Sequence, residues 1–292
     1  MFRTVKATAA IALSCAVAGA MLTGCDSSDE DRIDSMFDEK KPAFTGTKKI
    51  KVDGKSVNVS CSGKAAGPVI MLMAGHGDGL AKLAKIQQAL SKKHRVCSYD
   101  RLGEGASDKP DGIQTYADSG KILTGVLDKL AGDRPVVLAG HSMGGAIAAR
   151  YAPAHRDRVK GLVLLDATSP SAVADTTKRI PKSAKGMAGQ VRAQLVAINQ
   201  GQNKERLKAT DSEVHSAGDI PVEVIKHGKQ YLTAIPKYGP TLEQIWTKGQ
   251  HEWLALSTHS HLTTATRSTH YIYVDQPDLA IRAIQRVTSK AE

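Results

Sequence analysis

Residues 135–145 read PVVLAGHSMGG, an apolar β-type run that breaks into Gly140-His141-Ser142-Met143-Gly144 and passes at once into the small-residue helical stretch AIAARYA. A serine flanked in this way by glycines at a strand-to-helix turn is presented as a nucleophile. The turn is so sharp that the serine backbone is strained, and a Cβ at 140 or 144 would collide with the adjoining strand or helix. The hydroxyl then lies at a helix N-terminus, whose dipole favours the negative charge developed in acyl transfer. Ser142 is the candidate nucleophile. The alternative, a glycine-rich turn with an incidental serine, is disfavoured because strand and helix are both in place.

The elements that would position this residue follow from hydrophobic period. Strands are expected at 48–52, 55–60, 69–73, 95–99, 135–139, 159–165, 222–226 and 269–274. Helical patterns fall between them at 80–90, 116–130, 145–152, 242–257 and 277–289. Two short strands followed by strand–helix alternation predict an α/β fold with a mostly parallel central sheet and helices on both faces. Residues 167–219 break the rhythm: they hold no strand but carry weak helical stretches, SAKGMAGQVRAQLVAINQG and NKERLKAT. An excursion of that length is unusual in a compact domain and reads as a small helical cap over the site.

Together these features resemble the α/β-hydrolase fold family over residues 69–287. Besides the nucleophile turn, three motifs carry the resemblance. Met71-Leu72-Met73-Ala74-Gly75-His76-Gly77 is a strand running into a glycine-rich loop, where this family places half of its oxyanion hole. Residues 99–107, YDRLGEGAS, are similar to the family's Y-D-x-x-G-x-G-x-S loop. Ser268-Thr269-His270-Tyr271, followed by Asp275-Gln276-Pro277-Asp278, is similar to its C-terminal histidine and final helix.

The resemblance implies roles. A serine hydroxyl needs a base to take its proton, and of ten histidines His270 is the one so placed. His141 reads as a packed neighbour of the turn. Many relatives carry the acid just after the strand at 222–226, but here HGKQYLTAIPKYGPT has no carboxylate until Glu243. Asp166, ending the preceding strand in GLVLLDATSP, keeps the order Ser, Asp, His and is the candidate acid; Glu252 and Asp175 are the runners-up, and Asp219 precedes its strand. The oxyanion donors are expected to be the backbone N–H groups of Met143 and His76. Asp100 and Arg101 are expected to brace their loop by local hydrogen bonds, and Asp78 to lie near the mouth. The family's second and fourth strands are neighbours, which would bring Cys61 and Cys97 within bridging distance; two buried thiols are the alternative.

The chain's ends and charge bear on where such a site would work. MFRTVK is a basic n-region, and 7–21 is an apolar stretch shorter than the ~20 residues that span a bilayer. Leu22-Thr23-Gly24-Cys25 looks like a bacterial lipobox, so residues 1–24 read as a lipoprotein signal peptide and Cys25 as the lipidated residue; a plain secretory signal is the alternative. Residues 25–47 read as a lipid-anchored acidic tether, with seven carboxylates and one arginine between 26 and 39. Residues 48–292 form the expected hydrolase domain. The formal charge is +11 for the whole chain, and residues 40–292 carry +15, which favours an anionic membrane surface. The lysines are scattered and have no interleaved aromatics, so nucleic acid is not an expected partner. His259 and His261 form an H-x-H pair without a supporting Asp, Glu or Cys, so no metal and no cofactor is expected.

Relatives that dehalogenate or open epoxides use aspartate at the nucleophile position; a serine implies acyl transfer to water, most often from an ester. The expectation is a membrane-tethered extracytoplasmic serine hydrolase acting on a small-molecule ester. A non-catalytic ligand-binding lipoprotein is a second reading. A peptidase or amidase with the same three residues is a third, and it would need free carboxylates in the cap among Asp175, Glu205, Asp211 and Glu213.

Overall fold

The computed structural model describes residues 44–291. The expected signal peptide, Cys25 and residues 26–43 of the expected tether lie outside the described residues. Eight strands form one sheet in the order β1-β2-β4-β3-β5-β6-β7-β8. The hairpin β1 (Gly46–Val52) and β2 (Lys55–Ser62) runs antiparallel at one edge. Its turn, Asp53-Gly54, has positive φ at both residues, 46° and 73°, the backbone that lets a two-residue loop follow strand twist. β1 begins at Gly46, two residues before the expected strand.

From β4 (Arg95–Tyr99) onward all pairings are parallel: β3 (Val69–Met73), β5 (Val136–His141), β6 (Val159–Leu165), β7 (Val222–His227) and β8 (Ser260–Ala265). Every residue of β3 and β5 is buried, because helices cover both faces of a parallel sheet. Met71, Leu138 and Leu162 pack with α2 (Tyr116–Ala131) and α3 (Met143–Tyr151) on one side. Ile70, Val137 and Val163 pack with α1 (Ala84–Leu90) and α8 (Pro277–Lys290) on the other. Each such fully buried Leu, Ile or Val contributes roughly 1.5–3 kcal/mol.

β2 pairs with β4 so that Cys61 faces Cys97. The two cysteines form a disulfide, with Cα atoms 4.1 Å apart.

Three expectations are corrected. The last strand is Ser260–Ala265, not 269–274, and carries the H-x-H pair at its start. Residues 269–271 form a loop, and Ile272–Asp275 is a short helix, α7. Ile272 and Tyr273 belong to the core beneath α8, so their β-type chemistry is satisfied by burial without sheet pairing. NKERLKAT is not helical: Asn203 caps Leu207 through both its side-chain atoms, and Gln114 bridges to Leu207. The cap is also larger than 167–219. Its helices α4 (Ala172–Arg179) and α5 (Gly186–Asn199) share a small core, Ile180, Ala188, Ile235 and Leu242, with the segment leading into α6 (Gly239–Glu252). Among the described residues no helix is long and apolar enough to cross a membrane.

Candidate active site

Ligand sites in open α/β sheets form beyond the C-terminal strand ends where strand order reverses. Here that point lies at β3, between β4 and β5. Ser142 follows β5 with φ 50° and ψ −118°, a backbone that only a tightly determined turn holds in a non-glycine residue. The flanking glycines are required sterically. A Cβ on Gly140 would stand 2.5 Å from the Gly144 backbone, and one on Gly144 would stand 2.5 Å from the carbonyl oxygens of Met73 and Ala74. The Ser142 hydroxyl lies 3.4 Å from the Thr168 hydroxyl.

Asp166 follows β6 and is fully buried. Its Oδ2 accepts from His270 Nδ1 at 2.8 Å. The same oxygen lies 2.8 Å from Nδ1 of His227, at the end of β7. Oδ1 accepts from the His227 backbone N–H at 3.0 Å and from Trp246 Nε1 at 2.9 Å. Burial alone would raise this carboxyl; the hydrogen bonds from His227 and His270 outweigh it and hold it at about 2. Asp166 is therefore a fixed anion, and its bond sets His270 as the tautomer whose Nε2 is free to accept a proton.

His141 is not placed to act as a base. Burial, and then its neighbour His270, push it down to about 3. Its neutral ring donates from Nε2 to the His270 carbonyl at 3.0 Å and lies 4.5 Å from the His270 ring, centroid to centroid. It pins the loop on which His270 stands.

The oxyanion candidates also converge. Met143 is the first residue of α3, so its N–H has no acceptor a turn back in the helix. The His76 N–H is donated to none of the described residues, whereas the next N–H, Gly77, bonds Glu104 at 2.8 Å. His76, Ser142, Met143, Thr168 and His270 all line one cavity of about 320 Å³. Its remaining wall is mostly apolar and comes from the cap, including Val191, Leu195, Ile198, Leu242 and Trp246.

The runners-up for the acid lie elsewhere. Asp175 and Glu252 share the Ser171 hydroxyl and Lys248. Asp78 sits beside Tyr271 and does not line the cavity. Asp100 does brace its own loop, accepting from Ala106 and Leu80 N–H. Arg101 reaches further than expected. It donates to the Ala74 and Gly75 carbonyls at 2.5 and 3.0 Å, and forks onto Glu205 at 2.6 and 2.8 Å. Glu205, counted above as a cap carboxylate, is thus buried and paired with Arg101 and with His76 Nδ1 at 3.2 Å. Asp211 is engaged too, accepting the first N–H groups of α4.

Among the described residues, one group of metal-competent side chains comes together: His76, Glu104 and Glu205. Arg101 already occupies Glu205 there. His259 instead contacts the Asp219 carbonyl at 2.7 Å.

Sequence reasoning missed His227, Trp246, Glu243 and Thr168. Searching the end of β7 for a carboxylate passed over the histidine that stands there. The available signal was an apolar strand ending in His227, followed by a glutamate on the next helical pattern.

Sheet order, strained serine turn and site position define a hydrolase-type α/β fold. The chain belongs to the alpha/beta hydrolase fold family, whose model matches residues 68–218. It is 36% identical over 110 residues to a 2-hydroxy-6-oxo-2,4-heptadienoate hydrolase from Pseudomonas putida, covering 36% of this chain and 40% of that protein. It is 30% identical over 127 residues to a fluoroacetate dehalogenase from a Burkholderia species, covering 42% of each. The match thus spans less than half of these relatives' length. The fold also resembles an enol-lactonase from Burkholderia xenovorans LB400, with a TM-score of 0.60 at 19% identity over 83% of this chain and 100% of that one.

Proposed function

We propose that this protein is a serine hydrolase of carboxylic esters, lipid-anchored through Cys25 on the extracytoplasmic face of the cell membrane. The observation that carries the catalytic reading is that Ser142, His270 with Asp166 bound behind it, and the oxyanion candidates Met143 and His76 meet at one mostly apolar cavity. In this reading Ser142 Oγ attacks the ester carbonyl and His270 Nε2 takes its proton. The carbonyl oxygen gains its charge opposite the N–H groups of Met143 and His76. Collapse expels the alcohol, which receives the proton from His270. Water, deprotonated by the same ring, then releases the acid and restores Ser142. Asp166 stays ionised throughout, holding the ring and stabilising the imidazolium. The apolar wall favours an acyl chain over a peptide. The cap's buried Glu205 is committed to Arg101, which weighs against a free carboxylate for a substrate ammonium.

The test is intact-mass analysis after exposure to a fluorophosphonate, with peptide mapping. One adduct on Ser142, lost in Ser142→Ala and at least 100-fold slower in His270→Ala, is the expected result. A folded protein that never labels would leave a ligand-binding role and end the hydrolase reading.

A further inference from the structure

The ring of His227 is lodged between two carboxylates. Its Nδ1 lies 2.8 Å from Oδ2 and 3.0 Å from Oδ1 of Asp166, and its Nε2 lies 2.9 Å from Glu243 Oε2. Where both carboxylates are ionised they can only accept; both ring nitrogens then donate, and an imidazole with two N–H groups is a cation. The remaining Glu243 oxygen accepts from the Leu232 N–H at 2.8 Å, which orients the far carboxylate. Asp166 Oδ2 is therefore shared by two imidazoles, His227 on the buried side and His270 at the cavity.

We propose that His227 is a positioning residue, an imidazolium clamped by Glu243 that divides the charge of Asp166 between two rings and so limits its hold on His270. This rests on the reading of Ser142, His270 and Asp166 as the acting group. β6 and β7 are neighbours, so the strand ends that carry Asp166 and His227 set the carboxylate and the ring against each other.

The groups facing His227 come from four elements. Asp166 closes β6. Glu243 and Trp246 stand on α6, with the Trp246 ring centroid 6.2 Å away. Tyr231 lies edge-on at 4.9 Å in the segment after β7, and burial raises its hydroxyl, keeping it neutral. His270 approaches from the loop after β8. Burial opposes the charge on His227, but the bonds to Asp166 and Glu243 outweigh it and raise the ring above the ordinary histidine value.

The consequence is a sign. With His227 charged, the His270 imidazolium competes for a carboxylate already partly neutralised, so Asp166 stabilises that imidazolium less. Removing that charge leaves the whole of Asp166 to His270.

The rate of Ser142 labelling by a fluorophosphonate, followed against pH in the full chain, reads this directly. In His227→Gln and in Glu243→Gln, which leaves the imidazole in place, the acid-side midpoint moves up by about one pH unit. A lower rate at every pH with an unmoved midpoint would mean a structural role only and would overturn the proposal. Imidazole ¹⁵N NMR of the unmutated protein near neutrality gives a second readout needing neither activity nor a variant. Two protonated ring nitrogens on His227 are expected, and one would overturn the proposal. A protein that never labels refutes the role of Ser142 instead, and the NMR readout still decides the charge on His227.

Discussion

Two buried carboxylates make the fold sensitive to acid. Asp166 is held at about 2 against the cost of burial by its hydrogen bonds to His227 and His270, and Glu205 is held at about 2 by Arg101 and His76. Both values lie below the ordinary range, so between about pH 4 and 2 the unfolded chain binds more protons than the folded one. The stability they contribute is complete above pH 5 and is lost as pH falls through that window, on the order of 2 kcal/mol each. Urea midpoints measured from pH 6 to pH 2.5 should fall accordingly, and Glu205→Gln should flatten the fall while lowering the midpoint at pH 6. A midpoint independent of pH across this window would contradict the assignment. His227 acts in the opposite sense: its value is raised, so its contribution is present on the acid side and lost as pH rises through that value.

At the scale of elements, the cap is pegged to the site's own scaffold. Arg101 holds both the carbonyls of the oxyanion loop and the cap's Glu205, so the segment after α5 and the loop bearing His76 move together or not at all. The face of α5 that lines the cavity carries Val191, Leu195 and Ile198, and should therefore set acyl length. Leu195→Trp is expected to lower kcat/KM for octanoyl esters at least tenfold while changing that for acetyl esters less than threefold. Equal losses on both would show that α5 does not line the acyl path. Legibility in the sequence also divides by element. The parallel strands were readable because burial on both faces makes continuous apolar runs such as VIMLM and VVLAGH. The last strand was not, because SHLTTA lies at the sheet's edge with only Ala265 buried, while the more β-like residues 269–274 lead into a loop and helix. The candidates Ser142, Asp166, His270, Met143 and His76 come from motif and chain order, and the structure brings all but the buried Asp166 to one cavity. The His227–Glu243 bridge and the Arg101–Glu205 clamp join residues 16 and 104 positions apart, pairings that no local pattern encodes.

The whole molecule combines a basic body with an acidic segment ahead of it. Residues 40–292 carry +15, and 26–39 hold seven carboxylates against one arginine. We expect this arrangement to serve a domain held near an anionic surface, the acidic stretch spacing it and the lysines drawing it back. Lys48, Lys49 and Lys51 are exposed on β1. Cys25→Ser is expected to move the protein from the membrane fraction to the soluble fraction with Ser142 labelling unchanged. Continued recovery of the variant with membranes at high salt would argue against the lipid anchor.

The disulfide acquires a mechanical meaning in such a protein. If the chain is lipid-anchored as proposed, a pull on the residues before β1 would enter the sheet at Gly46 and peel β1 from β2 one pair at a time, beginning at Gly46 and Cys61. Past the Asp53-Gly54 turn it would draw on β2, but Cys61 is covalently joined to Cys97 on β4. Unravelling stops there. The load passes to β4, a strand in the parallel body of the sheet, and β3 and β5 to β8, which carry every residue of the site from His76 to His270, are not unravelled.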